Sequence, residues 1–146
     1  MINSRSINDL HPYVKAKAQE FIKACADAGV YVLITSTFRD KESQDALYAQ
    51  GRTTPGKIVT RAKGGNSFHQ YKVALDFVPL RDGKAVWGTT GEDGKLWQKA
   101  IDIAKSVGFE SASEWKTFKE LPHLQITLGL TLADLKAGKT LDQVLK

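Results

Sequence analysis

Apolar residues recur at helical spacing over Val14, Ala18, Phe21, Ile22 and Cys25, which predicts a first long helix. Pro12 suits its first turn, where a missing N–H costs nothing, and Gly29 stops the run. Residues 31–37 are rich in β-branched and aromatic side chains and predict a strand. Asp40 can cap a second helix that runs to Gln50 and closes at Gly51. Residues 52–68 contain Pro55, Gly56, Gly64 and Gly65 and read as one long loop, a kind of segment that is usually functional inside a compact domain. Val73 to Leu80 forms a second strand, and Asp82-Gly83 predicts a hairpin into Ala85-Val86-Trp87. Leu96, Ala100, Ile103, Ala104 and Val107 define a third helix over 95–107, ended by Gly108. A further strand is expected over 121–128, with Leu121 held extended by Pro122. Beyond it, Thr131 with Asp134 and Thr140 with Gln143 each resemble a capping box, predicting two short amphipathic helices.

These elements describe an α+β fold: a single small domain with an antiparallel sheet and helices packed on it. A chain of 146 residues suits one compact core. Residues 1–128 form its body and residues 129–146 a helical tail packed on the same domain. No apolar run approaches the ~20 residues of a membrane span, and Met1 to Ser6 lack the apolar core of a secretory signal. The expectation is a protein made in a cytoplasm and held there until something else releases it. Cys25 is the only cysteine and falls on the apolar face of the first helix, so it reads as a buried structural thiol. The net charge of +5 speaks about partners rather than fold. Basic residues are scattered rather than run together, so nucleic acid is not favoured over an acidic polymer such as a cell wall.

The chemistry concentrates in two places. Ser67-Phe68-His69-Gln70-Tyr71-Lys72-Val73-Ala74-Leu75-Asp76 and Glu120-Leu121-Pro122-His123 together hold two of the three histidines. Two neutral imidazoles and a carboxylate make a three-ligand zinc site with a fourth position open to water. Strand alternation puts Asp76 opposite in facing to Leu75 and Phe77, and groups His123 with Gln125 and Thr127. If the strands are neighbours, Asp76 and His123 share a face at the sheet, and His69 closes the set from the loop. Asp76 lies among Val, Ala, Leu and Phe, where an unpaired carboxylate would cost several kcal/mol. Glu120, three residues before His123, is placed to act as a base toward water. Arg39 follows a strand and precedes a helix, so its guanidinium can reach a sheet-edge site and clamp an oxyanion or carboxylate, or simply lie at the surface beside Asp40. Ser67 reads equally as a substrate contact or a turn residue. Trp115 and Phe118 read as an apolar wall or as core, and His11 as an ordinary helix-start residue.

At this point the chain resembles the zinc D-Ala-D-Ala carboxypeptidase and L-alanyl-D-glutamate peptidase family, including phage endolysins. The signature is Ser-x-His, an Asp seven residues on, and a later acid-x-x-His; here these are Ser67, His69, Asp76, Glu120 and His123. Thr35-Ser36-Thr37-Phe38-Arg39 resembles the family's Ser-Gly-Tyr-Arg segment, and Gln44, residues 47–53 and Gly64-Gly65-Asn66-Ser67 resemble its endolysin branch. The resemblance implies one zinc ion held by His69, Asp76 and His123, Glu120 as catalytic base, and Arg39 as the substrate or transition-state clamp. Substrate contacts are expected from Ser67, Gln44 and Trp115. It implies a monomeric peptidoglycan hydrolase cutting the L-Ala–D-Glu bond, with residues 1–128 as the catalytic domain and host lysis as its task. A D,D-carboxypeptidase and a purely structural zinc domain are the rival readings. Two departures stand out: Lys72 where the family usually has glycine, and Leu124 where it usually has phenylalanine.

Overall fold

The computed structural model describes residues 1–114 and 121–145. His11 caps α1 (Pro12–Asp27), its Nδ1 accepting from the Tyr13 N–H at 3.1 Å, with proline in the first turn as expected. β1 (Tyr31–Ser36) follows, then α2 (Lys41–Ala49), capped by Asp40 through the Ser43 N–H at 2.8 Å. β2 (Ala74–Arg81) turns through Asp82 and Gly83, both at positive φ, into a short β3 (Lys84–Ala85). That pair of left-handed residues is the turn an Asp-Gly hairpin demands. α3 (Gly91–Val107) begins four residues before the expected start at 95, with Glu92 and Asp93 complementing the helix dipole in its first turn. β4 (Glu110–Ser111) and β5 (His123–Gln125) complete the sheet, and α4 (Leu132–Lys136) and α5 (Leu141–Val144) form the tail.

The strand order is β1-β2-β5-β4 with β3 on β2, and every pairing is antiparallel. β5 is shorter than the expected strand 121–128. Pro122 cannot donate to a ladder, and Leu128 and Gly129 turn the chain away at positive φ. One face of β2, carrying Leu75 and Phe77, packs against α1 and α3. Phe77 meets Phe21 edge-on at 5.3 Å and Trp97 at 5.2 Å, and the Trp97 indole N–H donates to the Val86 carbonyl. Asp76 belongs to the other face. Leu135 and Leu141 are buried in the same core, which docks the tail on the domain. No described helix is long and apolar enough to cross a membrane.

Cys25 is fully enclosed in this core, and burial pushes its thiol up to about 11. The thiolate is the reactive form. Native protein at pH 8 is therefore expected to resist iodoacetamide and to label only in denaturant; rapid native labelling would show that α1 opens readily.

Candidate active site

The two histidines reach the site by different routes. His123 opens β5 and is paired in register with Asp76 on β2, so both project from one face. Ser36 of β1 faces Asp76 from the other side, after a register shift beyond Ile34. His69 comes from a 3-10 turn, Phe68–Tyr71, at the end of the long loop. Ser67 caps that turn: its hydroxyl accepts from the His69 N–H at 3.3 Å, while the Gln70 carboxamide accepts from the Ser67 N–H at 3.0 Å. Ser67 therefore caps the turn and also lines the cleft.

Lys72 ends the turn in the left-handed conformation, φ 63° and ψ 27°. A glycine accepts that backbone freely, whereas a side chain pays about 1 kcal/mol. The family glycine is thus explained by the backbone, and the turn survives its replacement. The Lys72 ammonium sits 5.1 Å from the centre of the Phe38 ring, and its carbonyl accepts from the His11 N–H at 3.0 Å. Leu124, the other departure, is fully buried core.

His69 Nε2 and His123 Nδ1 each lie 3.3 Å from Asp76 Oδ1, and the three ligand atoms fall within 4.8 Å of one another. The far nitrogen of each ring faces a carbonyl oxygen: Thr37 O at 2.7 Å from His69 Nδ1, and Gln125 Oε1 at 2.8 Å from His123 Nε2. A carbonyl oxygen only accepts, so those nitrogens carry the protons and the opposite lone pairs turn toward Asp76. Two lone pairs and a carboxylate then converge on one point, an arrangement that calls for a cation. Burial acts most strongly on Asp76 and raises its pKa. In their protonated forms, which donate from both ring nitrogens, His123 and His69 together outweigh it by hydrogen bonding and charge and hold the carboxyl well below the usual carboxylate range. The group therefore stays ionised, as a metal ligand must. The donor set fits a divalent ion of borderline softness with one position left for water.

The trio lines a cleft of ≈ 490 Å³ together with Arg39, Leu47 and residues 59–62. Both imidazole side chains are nearly enclosed, whereas Asp76 keeps 25% of its side chain exposed, so the ligand set faces the cleft. Arg39 is held by its neighbours: Nη1 donates to Gln44 Oε1 at 2.9 Å and Nη2 to Ser36 Oγ at 3.1 Å. Its backbone N–H donates to the His69 carbonyl at 3.2 Å, and its own carbonyl accepts from Gln70 Nε2 at 3.1 Å. The arginine and the first ligand are therefore fastened to each other.

Gln44 was expected to touch substrate, and the structure places it behind the wall instead, at 1% exposure. Its oxygen accepts from Arg39 and Gln70, and its nitrogen donates to Thr60 Oγ1 at 3.3 Å and the Ala62 carbonyl at 2.8 Å. A carboxamide so fully used positions Arg39 and the loop rather than a ligand. Gln44→Ala leaves those buried groups unpaired and is expected to cost about 2–4 kcal/mol, read as a lower thermal midpoint. Bound metal should be retained while kcat/KM falls. Trp115, Phe118 and Glu120 lie outside the described residues.

Sequence reasoning missed Thr37, whose contribution is a backbone carbonyl and leaves no signal in a side chain. Gln125 did leave one, since alternation puts it on the face of His123 two residues away.

A family model described as D-alanyl-D-alanine carboxypeptidase (VanY) matches residues 7–121. The chain belongs to this family. It is 44% identical over 124 residues to the peptidoglycan L-alanyl-D-glutamate endopeptidase CwlK of Bacillus subtilis (strain 168), covering 82% of this chain and 74% of that protein. It is 34% identical over 121 residues to the L-alanyl-D-glutamate peptidase of Listeria phage A118, covering 82% of this chain but 39% of the phage protein. Among solved structures, a vancomycin-resistance D,D-pentapeptidase VanY in complex with Zn(II) superposes with a TM-score of 0.61 at 17% identity, over 100% of this chain and 90% of that one. That last likeness shows a shared fold.

Proposed function

We propose that the protein is a zinc-dependent peptidase that hydrolyses the L-Ala–D-Glu bond of peptidoglycan stem peptides. The observation that carries this reading is the convergence of His69, Asp76 and His123 in the wall of an open cleft, in a chain 44% identical to a peptidoglycan L-alanyl-D-glutamate endopeptidase. His69, Asp76 and His123 would hold one zinc ion, which would supply Lewis-acid polarisation of the scissile carbonyl and a bound water of pKa about 7. The protein's own groups do the rest. Thr37 and Gln125 hold both imidazoles in the tautomer that presents a lone pair. Glu120 takes a proton from the attacking water and returns it to the leaving amine. Arg39, fixed by Gln44 and Ser36, places a positive charge where negative charge develops on the scissile group.

The chain works as a monomer on peptidoglycan. The phage relative supports a role in lysis from inside a host cell, the enzyme reaching the wall after release. The family description, a D-alanyl-D-alanine carboxypeptidase, favours one second reading, removal of terminal D-Ala. Mass spectrometry of digested peptidoglycan separates them. Stem peptides that begin with glutamate support the endopeptidase; loss of D-Ala alone means the carboxypeptidase.

A further inference from the structure

The stretch of loop that leads into the His69 turn is fastened residue by residue. Gly64 lies against α2: its N–H donates to Asp45 Oδ1 at 2.7 Å, and a Cβ there would meet the Lys41 carbonyl oxygen at 2.5 Å. The Gly65 carbonyl accepts from the Tyr71 hydroxyl at 2.6 Å. The Asn66 N–H donates to the Lys63 carbonyl at 2.9 Å, and the Ser67 N–H to Gln70 Oε1 at 3.0 Å. Asn66 thus stands on a pinned backbone, and it lines the cleft beside Ser67 and the ligand trio.

A loop asparagine commonly turns its carboxamide back on its own backbone. Asn66 reaches away instead: its Oδ1 accepts from the Lys136 ammonium at 2.7 Å, 70 residues along the chain. Lys136 is the last residue of α4, and Leu135 beside it is buried in the core. The tail is tied down again where His11 Nε2 meets Asp142 Oδ1 at 2.8 Å. An ammonium only donates, so the oxygen of the Asn66 carboxamide must face it. The Nδ2 group has no partner among the described residues. An exposed side chain in the cleft wall is left with two N–H donors to offer.

A bound peptide presents a carbonyl oxygen at each residue, and a stem peptide adds carboxylates. We propose that Asn66 is a substrate-binding residue that donates from Nδ2 to such an oxygen, and that Lys136 is the positioning residue that fixes its carboxamide. The C-terminal tail then helps to build the substrate cleft. The inference rests on the peptidase reading above.

The test follows new amino-terminal glutamate from a synthetic stem peptide, with kcat and KM separated and zinc content measured for each variant. Asn66→Ala is expected to lower kcat/KM by roughly three- to tenfold, the scale of one hydrogen bond. The loss should fall mostly on KM, with zinc kept. Asn66→Asp separates the two contacts: a carboxylate still pairs with Lys136 but has no N–H to give, so it should lose at least as much. Lys136→Met should cost roughly two- to fivefold, the scale of an exposed charged contact, and Lys136→Arg should keep most of the activity. In the Asn66→Ala background Lys136→Met should change nothing further, because it acts through Asn66.

Wild-type kcat/KM in Asn66→Ala or Asn66→Asp, or loss of zinc from Asn66→Ala, overturns the assignment of Asn66 while leaving the peptidase reading intact. No effect of Lys136→Met, or an equal effect in both backgrounds, overturns the role of Lys136. Failure of the wild type to cleave the peptide overturns the peptidase reading and this inference with it.

Discussion

Asp76→Ala is expected to lose bound zinc and wall hydrolysis together while the domain stays folded. Asp76 is the point on which both imidazoles converge, at 3.3 Å each, and its removal leaves a two-ligand site. Losing only an outer partner of a metal ligand costs about 10- to 100-fold in affinity or activity, so losing the ligand should exceed that range. The core that builds β2 lies on the opposite face, around Leu75 and Phe77, and is untouched. Metal analysis after gel filtration, beside a wall-digestion rate and a circular dichroism spectrum, checks each part. A variant that keeps one zinc and normal turnover removes Asp76 from the site.

Glu120→Gln should give the complementary result: zinc retained, hydrolysis lost. Glutamine keeps the size and polarity of the side chain but cannot accept a proton from water. General acid–base catalysis contributes about 10²- to 10⁴-fold, and kcat should fall by that factor. Retained lysis would take Glu120 out of the mechanism. Lost zinc would instead make it a ligand or a support for one. Together the two variants separate metal binding from proton transfer, and a purely structural zinc domain would be indifferent to the second.

Most of the scaffold was legible because its signals are periodic. The first helix announced itself through a stripe from Val14 to Cys25 between a proline and a glycine, and it forms over Pro12–Asp27. Alternation was enough to place Asp76 and His123 on a common face, and the register pairs them directly. Signals failed where the physics is not local. The start of the third helix at Gly91 was hidden by Gly91 and Gly94, poor helix formers that the dipole and packing override. β4, a strand of two residues, is too short to alternate and exists because β5 pairs with it. Gln44 shows the limit of resemblance: matching a family marks a residue as important without saying whether it touches ligand or holds the residue that does. Lys72 shows the reverse, where the puzzle of a missing glycine dissolves once φ is known.

Titrating zinc into chelator-stripped protein, while following the appearance of new amino-terminal glutamate from peptidoglycan, decides whether the trio is the metal site of a peptidase. The prediction is no cleavage without metal, and activity that rises with zinc and saturates at one equivalent. Undiminished cleavage by metal-free protein would contradict it.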